Sequence, residues 1–175
     1  MRREDSRAGG SPRRIRRLPA LCAVLARAFE DDPVAAHLIP SPRRRLKGLQ
    51  AFFGLQLTGD LLPQGCVLTT EDRSEGARWA PSGMSVPHGL AVLVSLVPLA
   101  PYVVGREVAR SVRSLTRITS LRPPEPHWYL AVLGTDPPRQ RQGIGSALLQ
   151  PVLARCDAEG ARASLESSKG SNVPF

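Results

Sequence analysis

A chain of 175 residues with 42% hydrophobic content has room for one domain with a proper core, which excludes a disordered or fibrous protein. Its net charge of +9 rests on arginine, since Lys47 and Lys169 are the only lysines, and favours an anionic partner: nucleic acid, an acidic membrane face or a polyphosphate cofactor. The three cysteines (Cys22, Cys66, Cys156) and three histidines (His37, His88, His127) are scattered, which argues against a disulfide framework or a metal site and for a reducing, cytoplasmic compartment.

Residues 1–14 are Arg, Gly, Ser and Pro without periodicity and read as a basic, disordered tail; the domain is expected over 15–175. "RRIRR" (13–17) either makes a short edge strand or extends that tail. The following "LPALCAVLARA" has the look of a signal-peptide core, but Arg27 interrupts it beside its small residues. Leu21, Val24, Leu25, Ala28 and Phe29 recur at spacings of three and four, which predicts an amphipathic helix near 19–30. "DDP" ends it and opens a short apolar helical piece through Ile39; Asp31 and Asp32 either line a substrate or cap that helix. "PSP" marks a turn, and Pro42 suits the first turn of a helix near 43–60.

"CVLTT" (66–70) and "ARWA" (77–80) predict a strand pair joined by a polar turn. The run "GLAVLVSLVPLAPYVVG" (89–105) is marginal for a membrane span and is broken by Pro98 and Pro101, so a buried helix pair is expected there. An Arg-rich helix near 105–120 and a rigid "RPPEP" loop follow. "HWYLAVLGT" (127–135) reads as a buried strand, 144–158 as a helix closed by Gly160, and "RASLESS" (162–168) as a last strand. The order α, α, β, β, α, β, α, β defines a mixed α/β domain.

"QRQGIGSALL" (140–149) carries the chemistry. A glycine-rich turn that opens a helix points free N–H groups outward at the positive end of the helix dipole, a setting for phosphate. Leu148 stands where a dinucleotide fingerprint needs its third glycine, and no Gly-Lys-Ser/Thr follows, so two common nucleotide loops are excluded. What remains is strand, turn and helix, with Gln140, Gly143 and Gly145 at fixed spacing.

In that motif (Gln140, Arg141, Gln142, Gly143, Ile144, Gly145) and in the flanking "HWYLAVLGTDP" and "LESSKGSN", the sequence resembles the GCN5-related N-acetyltransferase superfamily. "ARAFEDDPV" and "ARWAPSG" are similar to its first helix and third strand. The resemblance implies an acetyl-CoA-dependent N-acyltransferase fold, a central mixed sheet flanked by helices. It implies that the N–H groups of Arg141, Gln142, Gly143, Ile144, Gly145 and Ser146, beside Gln140, hold the pyrophosphate of acetyl-CoA, with Arg139 and Arg141 placed to meet phosphate. Pantetheine would run along Leu133, Gly134 and Thr135, where a main-chain N–H polarises the thioester carbonyl, and Asn172 would begin the next helix beside the cofactor. Direct attack by an amine acceptor then needs a general base, for which Glu125 and His127 are the candidates. Pro151 is expected to bend the helix after the turn; the family tolerates proline there. The tyrosine that protonates the departing thiolate in the family would fall at position 176, after Phe175, so the resemblance implies a domain incomplete at its C-terminus, without the last helix and strands, and impaired in turnover. The competing reading is a non-catalytic basic module binding nucleic acid, against which stand an aromatic content of 5% and the lack of a stacking platform. The acceptor and the oligomeric state are left open.

Overall fold

The computed structural model describes residues 2–4, 18–58, 66–83, 97–102 and 106–172. Five strands, β1 (Arg2–Glu4), β2 (Cys66–Thr69), β3 (Glu75–Ala80), β4 (His127–Thr135) and β5 (Arg162–Leu165), form one sheet in sequence order. The first four run antiparallel, and β5 joins β4 parallel, as the intervening helix requires. The helices are α1 (Leu18–Ala28), α2 (Pro33–Leu38), α3 (Pro42–Thr58), α4 (Arg106–Ser120) and α5 (Ile144–Glu159).

The period-two alternation of the strands divides the core between the two faces of the sheet. Leu21, Leu25, Phe53, Leu57, Val67 and Val132 pack the face under α1 and α3. Leu68, Ala77, Trp79, Trp128, Leu130, Leu148 and Val152 pack the face under α5. The helices α1 and α5 pack directly on the sheet, α3 packs against α1, and α2 lies against both α3 and α4; this tertiary burial is the main source of helix stability. Asp32 caps α2, its Oδ1 accepting from the N–H groups of Val34 (2.9 Å) and Ala35 (3.1 Å). Beyond α5, Gly160 stands at φ 60° and the Ala161 N–H returns to the Cys156 carbonyl at 2.8 Å, the left-handed stop that glycine permits. The helix runs through Pro151 to Glu159.

One irregularity sets up the site. Arg78 pairs with Val132 but Trp79 pairs with Leu130, so Ala131 is an extra residue in β4 with no partner on β3. This bulge lets Tyr129 and Val132 lie on the same face despite odd spacing, and it twists the strand where β5 ends.

Arg2–Glu4 differs from the tail expected over 1–14: its backbone pairs with Val67–Thr69 as an edge strand. An outer strand offers free N–H and C=O groups to any extended segment, and no apolar periodicity is needed to use them. "RRIRR" lies outside the described residues. So does most of the helix pair expected over 90–104, of which Val97–Leu99 forms one 3-10 turn with Leu99 buried. No helix among the described residues is long and apolar enough to cross a membrane.

Candidate active site

The strands β4 and β5 form a fork. Their pairing runs from His127↔Arg162 to Leu130↔Leu165 and stops, while β4 continues to Thr135. On its other side β4 stays paired with β3 up to Glu75↔Thr135. Among the described residues, no strand therefore covers the β5-facing edge of Ala131–Thr135. Five residues of extended backbone present about 16 Å of unpaired N–H and C=O groups, a template for an extended ligand carrying amides.

That edge leads directly into the glycine turn. Asp136 begins it, its N–H bonding the Ser74 carbonyl at 2.8 Å. Gln140 turns its side chain inward, donating to the Thr135 carbonyl at 3.1 Å, and Gln142 donates to the Pro138 carbonyl at 3.4 Å. Arg141 and Gly143 both adopt left-handed backbone, at φ 62° and 75°. Gly143 is the N-cap of α5 and offers no side-chain acceptor to the helix. The Ala147 N–H is the first to reach back, to the Gly143 carbonyl at 3.1 Å, so the N–H groups of Ile144, Gly145 and Ser146 before it lack the usual i−4 carbonyl. The exposed Gly143 has no heavy atom within 4 Å of where a Cβ would stand, so the space in front of the turn is open. An anion there would meet several N–H donors and the helix dipole together.

Ion pairs brace the turn. Arg27 on α1 grips Asp136 with two bonds, Nε to Oδ1 at 2.8 Å and Nη2 to Oδ2 at 2.7 Å, and holds this carboxyl below the usual range. Arg139, expected to face phosphate, instead pairs with Asp72 at 2.7 Å. Asp72 lies well below the ordinary carboxylate range because it also accepts from Thr70, Ser74 N–H and Ser74 hydroxyl. Arg141, by contrast, is exposed and has no hydrogen bond or ion pair with any described residue. Beneath the turn Glu75 is fully buried, accepting from the Thr135 hydroxyl at 2.6 Å while its Oε2 lacks a partner among the described residues. Burial raises its pKa, and the Thr135 bond only partly offsets this.

At the base of the fork stand three residues that sequence reasoning did not single out. Tyr129 is buried on β4, Arg122 follows α4, and Glu166 follows the last paired residue of β5. Arg122 Nε donates to Glu166 Oε1 at 2.7 Å and its Nη2 donates to the Tyr129 hydroxyl at 2.5 Å. The Tyr129 hydroxyl in turn donates to Glu166 Oε2, and the guanidinium carbon lies 3.8 Å from the tyrosine ring centre. Burial raises the phenol pKa, with Glu166 adding and Arg122 opposing, so the hydroxyl stays protonated at neutral pH. Glu166 was visible only as one letter in "LESS", and Tyr129 as one more aromatic in a core strand.

The other expected site residues fall on either side of this fork. Leu133, Gly134 and Thr135 lie on its open edge, and Gly134 is pressed against Leu25, Ala28 and Phe29 of the first helical segment. Asn172 sits in the turn Gly170–Asn172 after β5, its side chain donating to the Ser167 hydroxyl at 3.2 Å. His127 is at the closed end, paired across from Arg162, with its Nδ1 2.7 Å from the Glu125 carbonyl oxygen. Glu125 is exposed in the loop ahead of it. His127 is thus four residues, or roughly 13 Å, from Ala131 where the strands part, and Glu125 lies two residues further back in the loop. Asp32 is buried, and its Oδ2 accepts from Ser168, joining the α1–α2 junction to the segment after β5. Among the described residues no cluster of His, Cys, Asp and Glu has the makings of a metal site.

The site is thus a split sheet edge that runs into a helix-opening glycine turn at the end of the longest strand. Residues 101–174 match the acetyltransferase (GNAT) family. The chain is 26% identical over 162 residues to an uncharacterised N-acetyltransferase of Schizosaccharomyces pombe, covering 87% of this chain and 66% of that protein. It thus spans a little under two thirds of that relative's length. In fold it is similar to a solved structure from Corynebacterium glutamicum, described as histone acetyltransferase HPA2 and related acetyltransferase, with a TM-score of 0.62 and 23% identity over 98% of this chain and 79% of that one.

Proposed function

We propose that the chain is an N-acetyltransferase that takes acetyl-CoA at the turn and fork and passes the acetyl group to an amine. The observation that carries this reading is the continuity of the unpaired β4 edge with the N–H-rich turn. Acetyl-CoA supplies the activated acyl group; the protein supplies binding and orientation. The N–H groups of Gln142, Gly143, Ile144, Gly145 and Ser146 hold the pyrophosphate, and Arg141 adds an uncommitted cation. Backbone groups of Leu133, Gly134 and Thr135 pair with the pantetheine amides as an added strand, and one N–H polarises the thioester carbonyl. Asn172 flanks the same channel from the β5 side. Catalysis then follows chiefly from holding thioester and amine in register, which converts a bimolecular reaction into an effectively unimolecular one.

Much of the positive charge serves the fold. Arg45 donates to the carbonyls of Glu30, Ile39 and Pro40, Arg110 to that of His37, and Arg78 to Gln56. The buried, unlinked thiols of Cys22 and Cys156 suit a reducing, cytoplasmic setting. The test is incubation of the chain with acetyl-CoA and a panel of primary amines, read by mass spectrometry and thiol release. Amine-dependent thiol release with a matching acetylated product supports the reading. Failure to bind acetyl-CoA in calorimetry contradicts it.

A further inference from the structure

We propose that Glu166 is the group that receives the acceptor amine and takes its proton, with Arg122 and Tyr129 positioning it. This rests on the acetyltransferase reading above and adds a catalytic residue to it. Register places the side chain: Leu165 is the last residue of β5 paired with β4, so Glu166 stands where the strands part, level with the Ala131 bulge. Of the three clustered side chains Glu166 is the most open, at 29% exposure against 13% for Arg122. Its two oxygens each accept one bond, from Arg122 and from the Tyr129 hydroxyl, and each keeps a lone pair for a further donor. The other carboxylate brought to this region is spent: Asp32 is buried and accepts two α2 N–H groups and the Ser168 hydroxyl.

The cluster is built so that Glu166 can be held still. Stacking over Tyr129 fixes the plane of the guanidinium, and the plane fixes the direction of its Nε–H toward Oε1. Tyr129 stays a neutral donor to Oε2 and takes no proton itself. An incoming amine donates one N–H to the free side of the carboxylate while its lone pair faces the thioester carbonyl carbon. As the C–N bond forms, that proton moves to Glu166; the C–S bond breaks, and the sulfur leaves as a thiolate. The thiolate takes a proton from water and Glu166 returns its own to water, so amine and thioester become amide and thiol with no proton gained or lost.

The experiment is steady-state kinetics of the full chain with acetyl-CoA and, in turn, spermidine and a lysine-containing peptide. Glu166→Gln keeps the shape of the side chain but cannot take a proton, and is expected to lower kcat by about 10²–10⁴-fold. Its acetyl-CoA Kd should stay within about twofold of wild type, since the pyrophosphate and pantetheine contacts lie elsewhere. Tyr129→Phe keeps the ring stack and removes the hydroxyl; about a tenfold loss in kcat with unchanged amine KM is the mark of a positioning role. If Glu166→Gln does not fold, Glu166→Asp retracts the carboxylate while keeping its charge and should still lose about tenfold. Wild-type turnover with a full-rate Glu166→Gln or Glu166→Asp enzyme overturns the role of Glu166 and leaves the acetyltransferase reading intact. No turnover by the wild type on either amine overturns both.

Discussion

Gly143 offers a way to separate the fold of the turn from its binding. The residue stands at φ 75° as the N-cap of α5, with nothing within 4 Å of where a Cβ would be placed. Gly143→Ala therefore meets no protein atom, and its cost is conformational: about 1–2 kcal/mol for an L-residue in left-handed backbone. In a domain of this size about 1 kcal/mol moves Tm by roughly 2–4 °C, so the variant remains folded at room temperature. The open space the new methyl enters is the space a phosphate must cross to reach the turn's N–H groups. Loss of one or two charge-assisted bonds at about 1.5–3 kcal/mol each predicts a Kd for acetyl-CoA weakened by at least tenfold. Gly143→Asn is the control: asparagine tolerates the left-handed region, so its Tm should recover toward wild type while its side chain still obstructs the anion. Calorimetry and thermal melts on the three proteins decide the matter. Unchanged affinity in both variants refutes the phosphate role of the turn.

Other perturbations test the supports of the site. A Cβ on Gly134 would lie 2.8 Å from Leu25 Cδ2 and 3.0 Å from Phe29 Cε2, so Gly134→Ala should cost about 1–3 kcal/mol and weaken acetyl-CoA binding by displacing the open edge of β4; a neutral melt would contradict this packing. Because burial raises the Glu75 pKa, its contribution to stability is fully present below the unfolded carboxyl value and is lost as pH rises through the folded one. Glu75→Gln should accordingly raise Tm more at pH 8 than at pH 5, and equal gains at both would be inconsistent with a penalised buried carboxylate. Asp136 and Asp72 have the opposite sign: their pKa values are lowered, so the bracing they give is present above the unfolded carboxyl value and lost as pH falls through the folded one. The Tm difference between wild type and Asp136→Asn should thus hold steady from pH 8 to pH 5 and shrink below about pH 4. Arg27→Ala, which breaks a partly exposed pair, should cost no more than about 1 kcal/mol.

The backbone was more legible than the side-chain networks. Leu21, Leu25 and Phe53 announce their helices by periodicity, and "HWYLAVLGT" spans the observed β4 from His127 to Thr135. Local signals suffice there because burial of a stripe or a face is decided within a few residues. The turn was legible for the same reason: Gly143 occupies a left-handed position that a tight entry into a helix demands. Arg78 in "ARWA" gave no sign that it would be buried, nor that burial would lower its pKa to about 10. Arg139, read as a phosphate ligand, pairs with Asp72, which is 67 residues away in sequence. The Arg122–Tyr129–Glu166 cluster spans 44 residues and exists only because β5 ends one residue before Glu166. β1 was missed because edge pairing is backbone chemistry and leaves little mark on side-chain pattern.

The most direct test of the account is an amide-resolved NMR titration of the chain with acetyl-CoA. The account predicts the largest shifts at the N–H groups of Gln142–Ser146 and along Ala131–Thr135, with smaller ones at Asn172 and little change at Val67–Thr69 on the opposite side of the sheet. Saturating acetyl-CoA that leaves both the turn and the open edge of β4 unshifted would contradict it.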